Sequence, residues 1–117
     1  MFTCPCCGYE VFAGPPGSYD ICPICFWEND VFQLYYPSQS GGPNKCSLIE
    51  SQVNFIQFGA CDHSMKKNVR IATKADSRDL LWFPLWVRRV ELPNHESDMS
   101  HPQHEKSVAK LCYWLRA

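Results

Sequence analysis

The sequence predicts an α+β fold in which a small β-hairpin module, carrying paired cysteines at both ends, packs with two helices. Three observations predict it. Cys4-x-x-Cys7 and Cys22-x-x-Cys25 are separated by fourteen residues that read as strand, turn and strand. Ser47-Leu48-Ile49-Glu50 opens a helical pattern with a capping signal. The chain from Gln103 to Arg116 repeats a helical apolar spacing.

Taken in order, Tyr9 to Ala13 is expected as a short strand, Gly14-Pro15-Pro16-Gly17 as a turn, and Ser18 to Ile21 as the returning strand. The aromatic and polar stretch from Phe26 to Asn44 carries no clear secondary-structure signal, and Gly41-Gly42-Pro43 breaks it. The helix after Ser47 places Ile49, Val53, Ile56 and Ala60 on one apolar stripe and stops at Gly59. Residues 62–79 are polar and basic, with one short extended piece expected at Val69 to Ala72. In the apolar run from Leu80 to Leu92, Pro84 argues against a continuous helix. A polar loop from Pro93 leads to the last helix, with Val108, Leu111, Cys112 and Leu115 on one face. The organisation expected is a cysteine-rich module over residues 1–79 and, over 80–117, an aromatic segment and C-terminal helix packed on it.

Composition narrows the class. The chain has 117 residues, 45% of them apolar and 14% aromatic, enough for a packed core in one domain. No apolar run approaches the roughly 20 residues that span a bilayer. The N-terminal residues show neither the charged nor the apolar region of a secretory signal. The expected location is therefore the cytoplasm, where thiols stay reduced and disulfides are a poor use for eight cysteines. Charge is uneven. Residues 1–62 hold Lys45 against Glu10, Asp20, Glu28, Asp30, Glu50 and Asp62, a net of −5, while residues 63–117 hold ten Lys/Arg against six Asp/Glu, a net of +4.

The paired cysteine turns point to one metal ion, zinc or iron, held by Cys4, Cys7, Cys22 and Cys25. A C-x-x-C turn lets two thiolates face one ion, and folding two such turns together gives a tetrahedron of sulfurs. Gly8 suits the first turn, because the residue after the second thiolate often takes a conformation that a side chain hinders. Cys6 lies inside that turn and is expected to stay unbound; the competing pair, Cys4 with Cys6, would leave Gly8 without a role. Cys46, Cys61 and Cys112 are isolated and read as small buried hydrophobes.

Other candidate chemistry is weak. His95, His101 and His104 fall in a polar loop with no carboxylate or cysteine at ligand spacing. Gly41-Gly42-Pro43-Asn44 is followed by no Gly-Lys-Ser/Thr and is a turn rather than a phosphate loop. No nucleophile is paired with a base, so no enzymatic activity is expected. "LLWFPLW" (80–86) reads either as core or as an aromatic anchor for a partner.

The pair "CPCCGY" and "CPIC" resembles the two metal-binding knuckles of rubredoxins and zinc ribbons, except that Phe26-Trp27 stands where the second rubredoxin knuckle has a glycine. The longer run "CPCCGY … YDICPICFWEND … GGPNKCSLIESQVNFIQFGAC … VR" resembles the bacterial cysteine-rich CPCC family over roughly residues 3–75. That resemblance implies a compact metal-binding module with no established enzymatic activity. It also implies small accessory proteins, some of them encoded beside polymorphic toxins.

Three function classes follow. A nucleic-acid-binding zinc ribbon needs a basic face, and the ribbon half here is acidic. A rubredoxin-like electron carrier needs redox iron near the surface. A protein-binding inhibitor needs a rigid scaffold, local charge and aromatic anchors. The expectation is the last: an immunity protein that blocks the active site of a cognate toxin, with no nucleic-acid or membrane partner. Its contact is expected at Trp27, Glu28 and Asp30, a stretch that reads equally as a helix cap or solvated loop, with Trp27 as apolar anchor unless it belongs to the core, and the two acids steering toward a basic cleft.

Overall fold

The computed structural model describes residues 1–88 and 111–116. Its elements in chain order are β1 (Phe2–Thr3), β2 (Glu10–Phe12), α1 (Val31–Tyr35), α2 (Leu48–Phe58), a 3-10 helix (His63–Asn68) and α3 (Tyr113–Arg116). The α+β class holds, but the strand pairing differs from the expected one. β2 pairs antiparallel with β1, matching Phe2 to Phe12 and Thr3 to Glu10. The segment ending at Ile21 does not return along β2; it bridges to Glu28 instead. The physical reason lies in the cysteine turns. Each reverses the chain within itself, with Cys4 N–H donating to the Tyr9 carbonyl and Cys22 N–H to the Trp27 carbonyl, both at 2.9 Å. There are thus two small hairpins, each with a cysteine turn at its tip, and Gly14 to Gly17 joins them as the expected turn.

The stretch that carried no signal holds α1. Asp30 caps it, its Oδ1 accepting the Phe32 N–H at 3.0 Å. Asn29 ties the same region to the Gly14–Gly17 turn, donating to the Pro15 carbonyl at 3.0 Å and the Ser18 hydroxyl at 2.8 Å. No strand forms over Val69 to Ala72, where the Arg70 N–H donates to the Pro23 carbonyl at 3.1 Å.

The α2 helix starts and ends where expected. Ser47 Oγ accepts the Glu50 N–H at 3.2 Å, and Gly59 closes the helix in a left-handed conformation at φ 81°. Its buried face is not the expected one. Leu48, Ser51 and Gln52 are buried, whereas Val53 and Ile56 of the expected apolar stripe are exposed and Ile49 is half-buried. Hydrogen bonding decides this orientation. Gln52 Nε2 donates to the Pro5 carbonyl and to the Tyr113 hydroxyl, each at 2.9 Å, and Gln52 Oε1 accepts the Leu85 N–H at 2.9 Å. One glutamine therefore joins the first cysteine turn, the aromatic segment and the C-terminus.

Part of the aromatic run belongs to the core. Phe83 is buried, and Trp82 packs on the first cysteine turn with its indole N–H on the Pro5 carbonyl at 3.0 Å. Trp86 is exposed. The Tyr113 hydroxyl donates to the Phe83 carbonyl, and Leu111, Cys112, Tyr113 and Trp114 are buried in the same core as the cysteine turns. Residues 103–110 of the expected last helix, including Val108, and His95, His101 and His104 lie outside the described residues. Among the described residues no helix is long and apolar enough to cross a membrane.

Candidate metal centre

The two cysteine turns are built alike. In the first, the Gly8 N–H donates to the Cys4 carbonyl at 2.8 Å; in the second, the Phe26 N–H donates to the Cys22 carbonyl at 2.8 Å. Gly8 has φ 82° and Phe26 φ 70°, so both occupy the left-handed region that glycine favours. The Cys25 N–H also points at the Cys22 sulfur, 3.4 Å away.

Packing the turns face to face brings four sulfurs together. The Sγ atoms of Cys4, Cys7, Cys22 and Cys25 all lie within 4.8 Å of one another, and all four residues are buried. Cys4 and Cys25 approach to 3.6 Å, and Cys7 and Cys22 to 3.7 Å. Those separations far exceed a disulfide bond of about 2.05 Å. They match the edge of a thiolate tetrahedron, roughly 3.8 Å when each sulfur is about 2.3 Å from a central zinc. The donor set therefore fits one tetrahedral, thiophilic ion. Cys6 is buried beside the group but is not one of the four, and all eight cysteines are free thiols.

Electrostatics supports the same assignment. Burial pushes the Cys4 and Cys25 thiols well above their ordinary range, whereas hydrogen bonds from Cys25, Cys4 and Cys7 hold Cys22 well below it. Without an ion, burial favours the protonated form of Cys4 and Cys25. A divalent cation reverses that preference, because a coordinated thiol is deprotonated outright.

The backbone of the turns is held from outside. The Pro5 carbonyl takes the Gln52 and Trp82 donors described above. The Cys7 carbonyl accepts the Arg78 Nε–H at 3.0 Å, and the Cys25 carbonyl accepts the Cys61 N–H at 2.8 Å. Arg78 also lies 5.0 Å from the Tyr9 ring and 5.2 Å from the Trp82 ring, within cation–π range. None of these supports had a signature in the sequence, since each joins residues far apart in the chain.

Residues 2–76 match the family model described as cysteine-rich CPCC. The chain belongs to the cysteine-rich CPCC family. The match spans both cysteine turns, α1, α2 and the 3-10 helix, and it ends before the Leu80–Trp86 run and the C-terminal helix. No curated protein matches the chain.

The structure separates the three residues expected to meet a partner. Trp27 is 0% exposed and sits in the core of the CPCC region, its ring 6.4 Å from that of Phe12. Asp30 is buried as the α1 cap. Glu28 is half-buried, and Asn44 holds its backbone from both sides: Asn44 Oδ1 accepts the Glu28 N–H at 2.9 Å, and Asn44 Nδ2 donates to the Glu28 carbonyl at 2.8 Å. The alternation is that of an extended segment, in which Trp27 points inward and its neighbour outward. Of the three, Glu28 is the one that is not buried. Phe26 is half-buried against the core.

Proposed function

We propose that this CPCC protein is a non-enzymatic protein-binding module with zinc-ribbon-like architecture, stabilised by one zinc ion at Cys4, Cys7, Cys22 and Cys25. The observation that carries the reading is the closed, buried group of four sulfurs. Zinc brings no redox chemistry, and a four-thiolate shell leaves no open position for a substrate, which suits a structural staple. Binding free energy then becomes folding free energy for a small cysteine-rich region. Enclosure of all four sulfurs weighs against an iron electron carrier, which needs a route for the electron to the surface. The net charge of −5 over residues 1–62 weighs against a nucleic-acid-binding ribbon.

The partner we propose is a protein, a bacterial toxin domain neutralised by obstruction of its active site. The family resemblance supplies that class of partner. Glu28 supports an approach to a basic surface, because the second cysteine turn and Asn44 fix it in advance and little order has to be imposed on binding. Reduced thiols make the cytoplasm the fitting location. The test is co-expression with the product of the adjacent gene, followed by affinity purification and elemental analysis. A stoichiometric complex containing one zinc per chain supports the proposal; a zinc-free monomer that leaves the neighbouring product active overturns it.

A further inference from the structure

Outside the metal centre, one cavity contains polar atoms that lack partners. It has a volume of about 120 Å³ and lies between the second cysteine turn, the start of α2 and the 3-10 helix. Ser51 and Asp62 both line it. Ser51 is 1% exposed and Asp62 is 8% exposed, yet Ser51 Oγ and Asp62 Oδ2 have no hydrogen-bond partner. Asp62 Oδ1 is used, accepting the Ser64 N–H at 3.2 Å to cap the 3-10 helix. A buried carboxylate oxygen without a donor carries a large desolvation cost. Among the described residues the one side-chain ion pair joins Arg70 and Asp76, so Asp62 is paired with no described cation.

The lining indicates what would. Glu28 lines the cavity as a second acid, and Ile21, Phe26 and Met65 are the apolar side chains of its lining. A group with a positive, multiply donating head and a short apolar stem satisfies both kinds of wall. The thiols of Cys46 and Cys61 also line the space, but they do not make it a metal site. Among the described residues the close group of metal-ligating atoms is that of Cys4, Cys7, Cys22 and Cys25.

We propose that this cavity is a binding site for a primary alkylammonium, and that its occupant is a lysine side chain of the protein partner. The ammonium donates to Asp62 Oδ2 and Ser51 Oγ, Glu28 adds attraction at the cavity, and the methylene stem lies against Phe26, Ile21 and Met65. The choice of a lysine rests on the protein-binding reading above; ammonium binding itself does not. Lys45, which also lines the cavity, is the local competitor for the same acids.

The test uses the full-length, metal-loaded chain and needs no partner. Amide signals of uniformly 15N-labelled protein are followed during titration with n-butylammonium, with neutral n-butanol, with spermidine and with Nα-acetyl-lysine N-methylamide. Saturable shifts at Phe26, Glu28, Ser51 and Asp62 are expected with n-butylammonium and the lysine derivative, and none with n-butanol. Asp62→Asn keeps a side-chain oxygen for the 3-10 helix cap and should weaken ammonium binding by about tenfold, the size expected for a charge-assisted hydrogen bond. Lys45→Ala should strengthen it. The site is refuted if n-butylammonium gives no saturable shift, if n-butanol gives the same shift, or if Asp62→Asn binds as the wild type does. Tighter binding of spermidine than of the lysine derivative would overturn the lysine assignment. Ammonium binding without complex formation in the co-expression experiment would leave the site standing and remove the toxin reading.

Discussion

Gly8 and Phe26 occupy the same place in two copies of one turn: each follows the second cysteine, each donates its N–H to the first cysteine's carbonyl at 2.8 Å, and each has a positive φ. The two residues reached that place under different demands. A Cβ on Gly8 would lie 2.4 Å from Trp82 Cε3, so the first turn needs glycine for space as well as for conformation. The second turn tolerates the strain of a side chain because Phe26 packs against the core.

Substitutions at the two positions should therefore differ. Gly8→Ala should destabilise the fold by about 1–3 kcal/mol, the usual range for backbone strain at such a site, and the collision with Trp82 adds to it. Phe26→Gly relieves about 1 kcal/mol of strain and loses partly buried aromatic surface, so its net effect should be smaller. Urea denaturation of the two variants at constant zinc checks the ordering; equal losses would show that Trp82 yields freely.

Metal content should follow the four sulfurs of the metal centre and no others. Cys4→Ser, Cys7→Ser, Cys22→Ser and Cys25→Ser should each abolish stoichiometric zinc, while Cys6→Ser and Cys46→Ser should retain one ion per chain. Elemental analysis of the purified variants decides it. Retention of zinc by Cys22→Ser would remove the assignment.

Asp30 offers a test of pH dependence. Burial raises its carboxyl above the ordinary carboxylate range, opposed by the backbone hydrogen bonds of Phe32 and Gln33. A raised folded-state value contributes stability below the unfolded value, about 3.9, and that contribution is lost as pH rises through the folded value. At neutral pH the ionised Asp30 is therefore a cost. Asp30→Asn keeps an oxygen for the Phe32 N–H, so it should match or exceed the wild type at pH 7 and lose that advantage toward pH 4. Asp30→Ala lacks the cap and should lie about 1 kcal/mol below Asp30→Asn at every pH. Comparing each variant with the wild type at the same pH cancels the metal's own proton dependence.

Gln52 should prove the most sensitive polar residue of α2. Its side chain satisfies the Pro5 carbonyl, the Tyr113 hydroxyl and the Leu85 N–H at once. Gln52→Ala leaves these groups buried without it, at about 2–4 kcal/mol for the set. Hydrogen exchange should show faster opening at Leu85 and at residues 111–116 before any change at the cysteine turns. Simultaneous loss of protection everywhere would mean that these segments are not separately held.

If the protein-binding reading holds, Glu28→Lys should slow association with the partner and make binding less sensitive to salt, with zinc content unchanged. Stopped-flow association at two ionic strengths measures it. Asp30 is unsuited to the same reversal, because a lysine there would remove the α1 cap.

The sequence showed the local features plainly and the distant ones poorly. Both C-x-x-C turns, the Ser47 cap and the Gly59 stop act within four residues or so, and each carries its own chemical signature. The hairpin pairing is not legible in the sequence, because a strand-turn-strand pattern cannot say which neighbour a strand will choose, and here each cysteine turn is itself the reversal. The buried face of α2 was misread for a related reason. Apolar spacing favoured Ile49, Val53 and Ile56, while the hydrogen-bonding needs of Pro5, Tyr113 and Leu85 turned Gln52 inward. Trp27 follows a metal turn and so reads as available, yet the extended geometry of that segment sends it into the core and leaves Glu28 half-buried.

The Pro5 carbonyl lies inside the first cysteine turn and receives donors from both Gln52 and Trp82. Loss of the ion would loosen that turn and, with it, the anchor for α2 and for the aromatic segment. Unfolded chains are the substrates of cellular proteases, so if zinc is the ion that staples these turns, as proposed, the lifetime of the protein would follow the supply of zinc. In a zinc-starved cell its amount should fall without any change in its synthesis, and the supply of a trace element would then govern how much of it is present to act.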